Sequence, residues 1–235
     1  MVRLYIDQDF EVGKHISLPR EERHYYQKVH RGQGEVLLFN RRGQQARGKI
    51  KGGEFFIEEL VESAFPVWPI RVGLALPKKS VLKCLVSQLS ELGVDELVLF
   101  AAQRSQSAPA RLKDLRSFEK SAIESARQCG RARPLSIRVV KFEEIISPNF
   151  IERETKIFFD ELEASSSLDP LNFMHNLQSA LLVFGCEGGW TAKERKQMLD
   201  AGLNNVHLAC PVLKVETAVI CGALLGVVQL SSKKF

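Results

Sequence analysis

Two short stretches near the end of the chain combine glycine, small residues and carboxylates in a way that could hold a ligand. They are "GCEGGWT" at Gly185–Thr191 and "ACPVLKVET" at Ala209–Thr217. Gly185, Gly188 and Gly189 let backbone N–H groups approach a guest closely, and a helix start behind them adds positive potential, so phosphate is the usual occupant of such a loop. Glu187, set between the glycines, argues against phosphate, and Glu216 gives the second loop a carboxylate as well. Backbone groups of loops like these can read the edge of a flat heterocycle while Leu208, Val212 and Leu213 cover its faces. A purine nucleoside carrying a cation satisfies these terms better than one carrying phosphates. The simpler readings stay open: either glutamate could favour the positive end of the helix after it, and a glycine pair after a strand can be a tight turn and nothing more.

Positioning two such loops requires strands that end beside one another. From Ile70 onward, strand-like runs alternate with helical ones: "IRVGLAL", "ELVLFA", "LSIRVV", "KIFFD", "ALLVF" and "NVHLA" are the strands. "SVLKCLVSQLSEL" keeps the i, i+3, i+4 spacing of an amphipathic helix with Gly93 placed as its C-cap residue. A basic helix is expected from about Leu112 to Cys129, a short one at "FEEII", and a buried one at "AVICGALLGVV". This alternation predicts an α/β domain with a mostly parallel sheet covered on both faces, which puts ligands beyond the carboxyl ends of the strands. Before about Ser63 the pattern differs: "VRLYI", "GEVLLFN", "QARGKIK" and "EFFIEELV" alternate and are broken by "RRG" and "KGG" turns, predicting a small antiparallel barrel. Pro66 and Pro69 mark the boundary.

Several function classes lose support from composition. The longest apolar run has 11 residues, Ala218–Val228, short of the roughly 20 that cross a bilayer. The N-terminus "MVRLYIDQDF" has no apolar leader, so a cytoplasmic protein is expected. Five cysteines without a C-x-x-C pair and five histidines without ligand spacing predict neither disulfides nor a metal. The first strand of the parallel sheet leads into "PKKS" and no G-x-G-x-x-G, which removes the main support for a nicotinamide cofactor. Net charge is +5, and Arg104–Lys141 holds ten basic residues against three acidic ones. That excess suggests a polyanion footprint, although a solvated helix face would look similar.

The chain also resembles a family. "LLVFGCEGGWTAKE" is similar to the "GPEGG" signature, and "VHLACPVLKVETA" to the "LG-x-R-I-L-R-x-E-T-A" signature, of the ribosomal RNA small subunit methyltransferase E family. "QLSELGV", "AQRS", "AIESARQCGRARP" and "HYYQKVHRGQGEVLLFN" resemble further family stretches in the same order. The resemblance implies a PUA-like β-barrel at residues 1–66 that binds RNA. It implies a SPOUT domain at residues 70–235 whose C-terminal trefoil knot holds S-adenosylmethionine. It implies a homodimer that methylates N3 of a uridine in 16S ribosomal RNA within the assembled small subunit.

Carried over residue by residue, the family pattern puts Phe184, Gly185, Glu187, Gly188, Gly189, Leu208, Ala209, Val212, Leu213, Glu216 and Thr217 at the cofactor. Lys214 becomes the donor that stabilises the uracil anion. Arg3, His30, Arg31, Arg104, Gln128 and Arg131 fall to RNA. Four positions depart from the family pattern, three of them beside the expected active centre: Cys186 replaces a proline, Ala209 a glycine, and Pro211 and Lys214 two arginines. Gln88 and Gln103 replace a lysine and a glutamate. The missing arginines keep a second function open, a non-catalytic ribosome-binding or assembly factor of the same fold. A third is a methyltransferase acting on another RNA.

Overall fold

The computed structural model describes residues 1–105, 115–150, 155–161, 177–208 and 211–232. The chain divides into two compact units, Met1–Val67 with Ile123–Pro134, and Trp68–Ala122 with Leu135–Phe235.

The first unit contains β1 (Val2–Tyr5), β2 (His15–Ser17), α1 (Arg20–Val29), β3 (Val36–Phe39), β4 (Gln45–Lys51) and β5 (Glu54–Val61). Its five strands pair in the order β1-β3-β4-β5-β2. The "KGG" turn joins β4 to β5, and Gly52 and Gly53 both adopt positive φ there, the backbone a two-residue hairpin demands. All pairs are antiparallel except β1 with β3, which run parallel, a departure from the all-hairpin expectation. Alternation sends Leu4, Leu38, Ala46, Phe55 and Ile57 inward to a fully buried core. The sequence pattern does not predict helix α1, because it buries no residue completely and only Tyr25 and Tyr26 pack partly against the core. It is held instead by Arg127, whose guanidinium donates to Glu22 at 2.7 Å and lies 4.1 Å above the Tyr25 ring.

The second unit contains β6 (Trp68–Ala75), α2 (Lys79–Glu91), β7 (Val94–Phe100), the start of α3 (Leu115–Cys129), β8 (Ser136–Val140) and α4 (Phe142–Ile145). It continues with β9 (Thr155–Phe159), β10 (Ala180–Phe184), α5 (Ala192–Asp200), β11 (Asn204–Val206) and α6 (Val215–Ser231). Six parallel strands run in the order β11-β9-β10-β6-β7-β8. Because side chains alternate across a strand, Leu182 and Phe184 of β10 join one core with α2 and α6. Leu181 and Val183 join the other with Phe100, Phe158 and Trp190. Every residue of β10 is buried, as a strand covered on both faces must be.

One boundary differs from expectation. β6 starts at Trp68 and includes Pro69, where the register against β7 slips between Trp68 and Arg71. At that irregularity a residue lacking an N–H costs no ladder bond. The basic helix is described from Leu115, and the expected start at Leu112 lies outside the described residues.

Candidate functional site

Strands β9, β10 and β11 end side by side, and the segments after them enclose an open cleft of about 640 Å³ including its mouth. The floor is aromatic: Phe159 and Phe184 stack at 4.5 Å with their planes 2° apart. One wall is the glycine loop after β10, through Gly185, Cys186, Gly189 and Trp190; the facing wall is Leu208, Pro211, Val212 and Leu213, with Val215 and Ala218 behind. The third side is the end of β9, Asp160 and Glu161.

The glycine loop is built by local necessity. Gly189 N–H donates to the Cys186 carbonyl at 2.9 Å, closing a turn in which Gly189 has φ +63°, a region costly for residues with a Cβ. Trp190 is buried and its Nε1 donates to the Phe159 carbonyl at 2.9 Å, tying the loop to β9. Thr191 then caps α5. Glu194 N–H donates to Thr191 Oγ1, while Glu194 Oε2 accepts from the Thr191 N–H, the reciprocal pair of a capping box. Glu194 is itself buried, and its other oxygen accepts the Gln103 N–H at 2.8 Å.

Charge in the cleft is acidic. Asp160 is buried and accepts two hydrogen bonds from Arg195 of α5, and that bond holds the guanidinium above its ordinary pKa. Glu161 is exposed, and its carboxylate lies over the Gly189 Cα, 3.3 Å from where a Cβ would stand. His207 completes the set, its Nδ1 3.1 Å from the Asp160 carbonyl. Among the described lining residues there is no lysine or arginine.

Of the cofactor residues expected from sequence, Phe184, Gly185, Gly189, Leu208, Val212 and Leu213 meet at this cleft. Glu187 and Gly188 stand outside the lining. Glu187 Oε1 accepts the Lys78 N–H at 2.9 Å, at the N-terminus of α2, and the Gly188 carbonyl accepts from Arg104 at 2.8 Å. Lys214 is the N-cap residue of α6, exposed, with Glu216 and Thr217 next in the first turn and all three beyond the lining. Ala209 and Cys210 lie outside the described residues.

The RNA set divides. His30 is half-buried with its ring against Tyr25, while Arg31, Arg104 and Gln128 are exposed. Arg131 requires correction: it is 2% exposed, so its guanidinium cannot present itself to a polyanion. Arg3 donates to the Arg131 carbonyl at 2.6 Å, and burial lowers its pKa, marking a structural role for it too.

Sequence reasoning missed Asp160, Glu161, Trp190 and His207. The signal was present for the first two, since "KIFFDE" places carboxylates directly after the carboxyl end of a strand, where parallel sheets bind ligands. Groups of three or more potential metal ligands are absent among the described residues, and no described helix is long and apolar enough to cross a membrane.

Comparison with known proteins adds to this geometry. A family model for an RNA methyltransferase domain matches residues 63–229. The chain is 30% identical over 138 residues to the ribosomal RNA small subunit methyltransferase E of Aquifex aeolicus, a match spanning 58% of either protein. It is 24% identical over 232 residues to the protein of that name from Buchnera aphidicola of Schizaphis graminum, covering 93% of this chain and 92% of the relative. In fold it is similar to a ribosomal RNA small subunit methyltransferase E from Neisseria gonorrhoeae bound to S-adenosyl methionine. There the TM-score is 0.83 at 19% identity, over 99% of this chain and 98% of that one.

Proposed function

The chain belongs to the RNA methyltransferase domain family, and on that premise we propose that it transfers a methyl group from S-adenosylmethionine to N3 of a uridine in 16S ribosomal RNA. The substrate in this reading is the assembled small subunit, in the cytoplasm. The observation that carries it is the charge of the cleft: Asp160 and Glu161 line it and no described lysine or arginine does. Such a site suits a nucleoside bearing a cation and repels one bearing phosphates.

The residues present fit that cofactor. Leu208, Val212 and Leu213 offer apolar cover for a purine, and Phe159 and Phe184 form the floor. Glu161 supplies the negative charge that a sulfonium needs. When bound, S-adenosylmethionine supplies an electrophilic methyl on positively charged sulfur, and its transfer leaves a neutral thioether. The N3–H of uracil must lose its proton, which leaves negative charge over N3 and the flanking oxygens. Lys214, exposed beside Leu213, is the proposed donor to that anion, a contribution of about 3 kcal/mol for a well-placed group. His30, Arg31, Arg104 and Gln128 are the proposed RNA contacts.

The finer architecture belongs to the same reading. The first unit is proposed to be a PUA-like barrel. The second is proposed to be a SPOUT domain with a trefoil knot, since β11 lies beyond β9 at the sheet edge while α6 returns to pack on β10, β6 and α2. A homodimer is proposed because Leu224 and Val228 leave an apolar strip exposed on α6.

The test is incubation of unmodified small subunits with methyl-labelled S-adenosylmethionine, then nucleoside digestion. N3-methyluridine is the expected product. Label on another nucleoside would overturn the assignment of position. No label, with cofactor binding intact, would favour the assembly-factor reading. Lys214→Met is expected to lower kcat about a hundredfold, matching the 3 kcal/mol assigned above, with cofactor affinity unchanged.

A further inference from the structure

His207 comes directly after β11 and lines the cleft, yet it belongs to none of the signature positions that the sequence suggested. Its Nδ1 lies 3.1 Å from the Asp160 carbonyl oxygen. A carbonyl can only accept, so Nδ1 must carry the hydrogen, which fixes the neutral ring as the Nδ1–H tautomer and leaves the lone pair on Nε2. Among the described residues Nε2 has no protein partner.

The surroundings hold that ring firmly. Asp160 N–H donates to the Val206 carbonyl, the Asp160 carboxylate is engaged by Arg195, and the Trp190 indole donates to the neighbouring Phe159 carbonyl. The segment whose carbonyl His207 contacts is therefore held from β11, from the glycine loop and from α5. A pre-set acceptor on the wall of an otherwise apolar and acidic cleft is the arrangement that gives a binding site orientation and specificity.

We propose that His207 reads the nucleoside half of the cofactor, its Nε2 accepting a hydrogen bond from an N–H or O–H of the adenosine. This rests on the cofactor assignment above. The lone pair is available only while the ring is neutral; protonation turns Nε2 into a donor and adds a cation beside a cationic ligand. Among the described residues, the charged groups that line the cleft with His207 are Asp160 and Glu161 after β9, and Asp160 is engaged by Arg195 of α5.

The experiment is calorimetric binding of S-adenosylhomocysteine, the neutral product, to the full chain, with the imidazole nitrogens of His207 monitored by NMR. His207→Asn keeps an N–H near the Nδ1 position and removes the acceptor, so about a tenfold loss of affinity is expected, the equivalent of one good hydrogen bond. His207→Gln, which can place an oxygen near Nε2, should recover part of it. The inosine analogue, which lacks the amino group, identifies the donor. Loss in wild type but not in His207→Asn assigns the bond to the amino group, no loss in wild type assigns it to a hydroxyl, and equal loss in both, which would place the amino group's bond elsewhere, would overturn an amino-group contact to His207.

Unchanged affinity in His207→Asn would overturn the proposal. So would an Nε2 resonance in wild type that does not move on saturation, a reading that survives even if the variant fails to fold. If wild type bound no such ligand, the cofactor assignment itself would fall.

Discussion

Gly222 and Gly226 lie one turn apart on α6, yet a methyl group added to each would meet a different neighbour. At Gly222 a Cβ would stand 2.7 Å from Phe184 Cζ and 3.0 Å from Phe159 Cζ, the stacked pair under the cleft. At Gly226 the nearest atom is Ile70 Cδ1, the end of a flexible side chain, at 3.0 Å. Alanine adds about 1 kcal/mol of helix propensity at either site, while overpacking a rigid core costs about 1–3 kcal/mol. Gly222→Ala is therefore expected to destabilise by about 1 kcal/mol and to weaken nucleoside binding, and Gly226→Ala to lie within about 0.5 kcal/mol of wild type in urea unfolding. Arg127 offers a contrast in charge. Its side chain is 9% exposed and Glu22's is 12%, so Arg127→Ala leaves a nearly buried carboxylate unpaired, at a cost of about 3 kcal/mol near neutral pH. Burial already raises the Glu22 pKa above its ordinary value of 4.5. The contribution of such a raised group is fully present below 4.5 and is lost as pH rises through the folded value. Removing the cation raises that value further, so the penalty of Arg127→Ala should shrink between about pH 7 and pH 5 in the same unfolding measurement.

Helix α2 shows how an element can be completed by a distant one. Its N-cap residue, Lys78, makes no side-chain cap, and no acidic residue sits in its first turn. Glu187 supplies the missing charge from the glycine loop through the Lys78 N–H. Glu187→Ala is expected to cost about 1 kcal/mol by thermal or urea unfolding, the range of a lost cap with its favourable dipole contact. The residue that makes the loop look unlike a phosphate site is, in the structure, a cap for another helix. Sequence order pairs Glu187 with the next helix along the chain, α5, and carries no sign that α2, about a hundred positions earlier, is the one it reaches. The parallel strands, by contrast, are legible, since "ALLVF" and "ELVLFA" can be buried only between two layers. Helix α1 is not, because its attachment through Arg127 depends on a residue about a hundred positions away. The apolar wall of the cleft at Leu208, Val212 and Leu213 is readable from composition. The acidic side is legible only in part: "KIFFDE" puts carboxylates at the carboxyl end of a strand, but it has no glycine to mark it as a loop of interest.

At the scale of the molecule, α6 carries an unfilled demand. Its inner face, Val219, Gly222, Ala223, Gly226 and Leu230, is buried, but Leu224 and Val228 are 46% and 52% exposed, and Cys221 is exposed beside them. Positions 221, 224 and 228 share one stripe of a helix, so the apolar strip is continuous. A solvent-facing stripe would be expected to be polar, and an uninterrupted apolar one marks an interaction surface. In the proposed homodimer the two copies would meet across a two-fold axis, where residues near the axis face their own counterparts. A glutamate at 224 or 228 then introduces two like charges into an apolar contact, which is more disruptive than the loss of one side chain. Because both positions are exposed in the single chain, the substitution should leave its folding intact. Sedimentation velocity should give wild type twice the 26.5 kDa chain mass, and Leu224→Glu with Val228→Glu a single chain with unchanged circular dichroism. If the double variant sediments as wild type does, α6 is not the contact. A variant that is monomeric but still methylates small subunits at the wild-type rate would show that each chain carries a complete site.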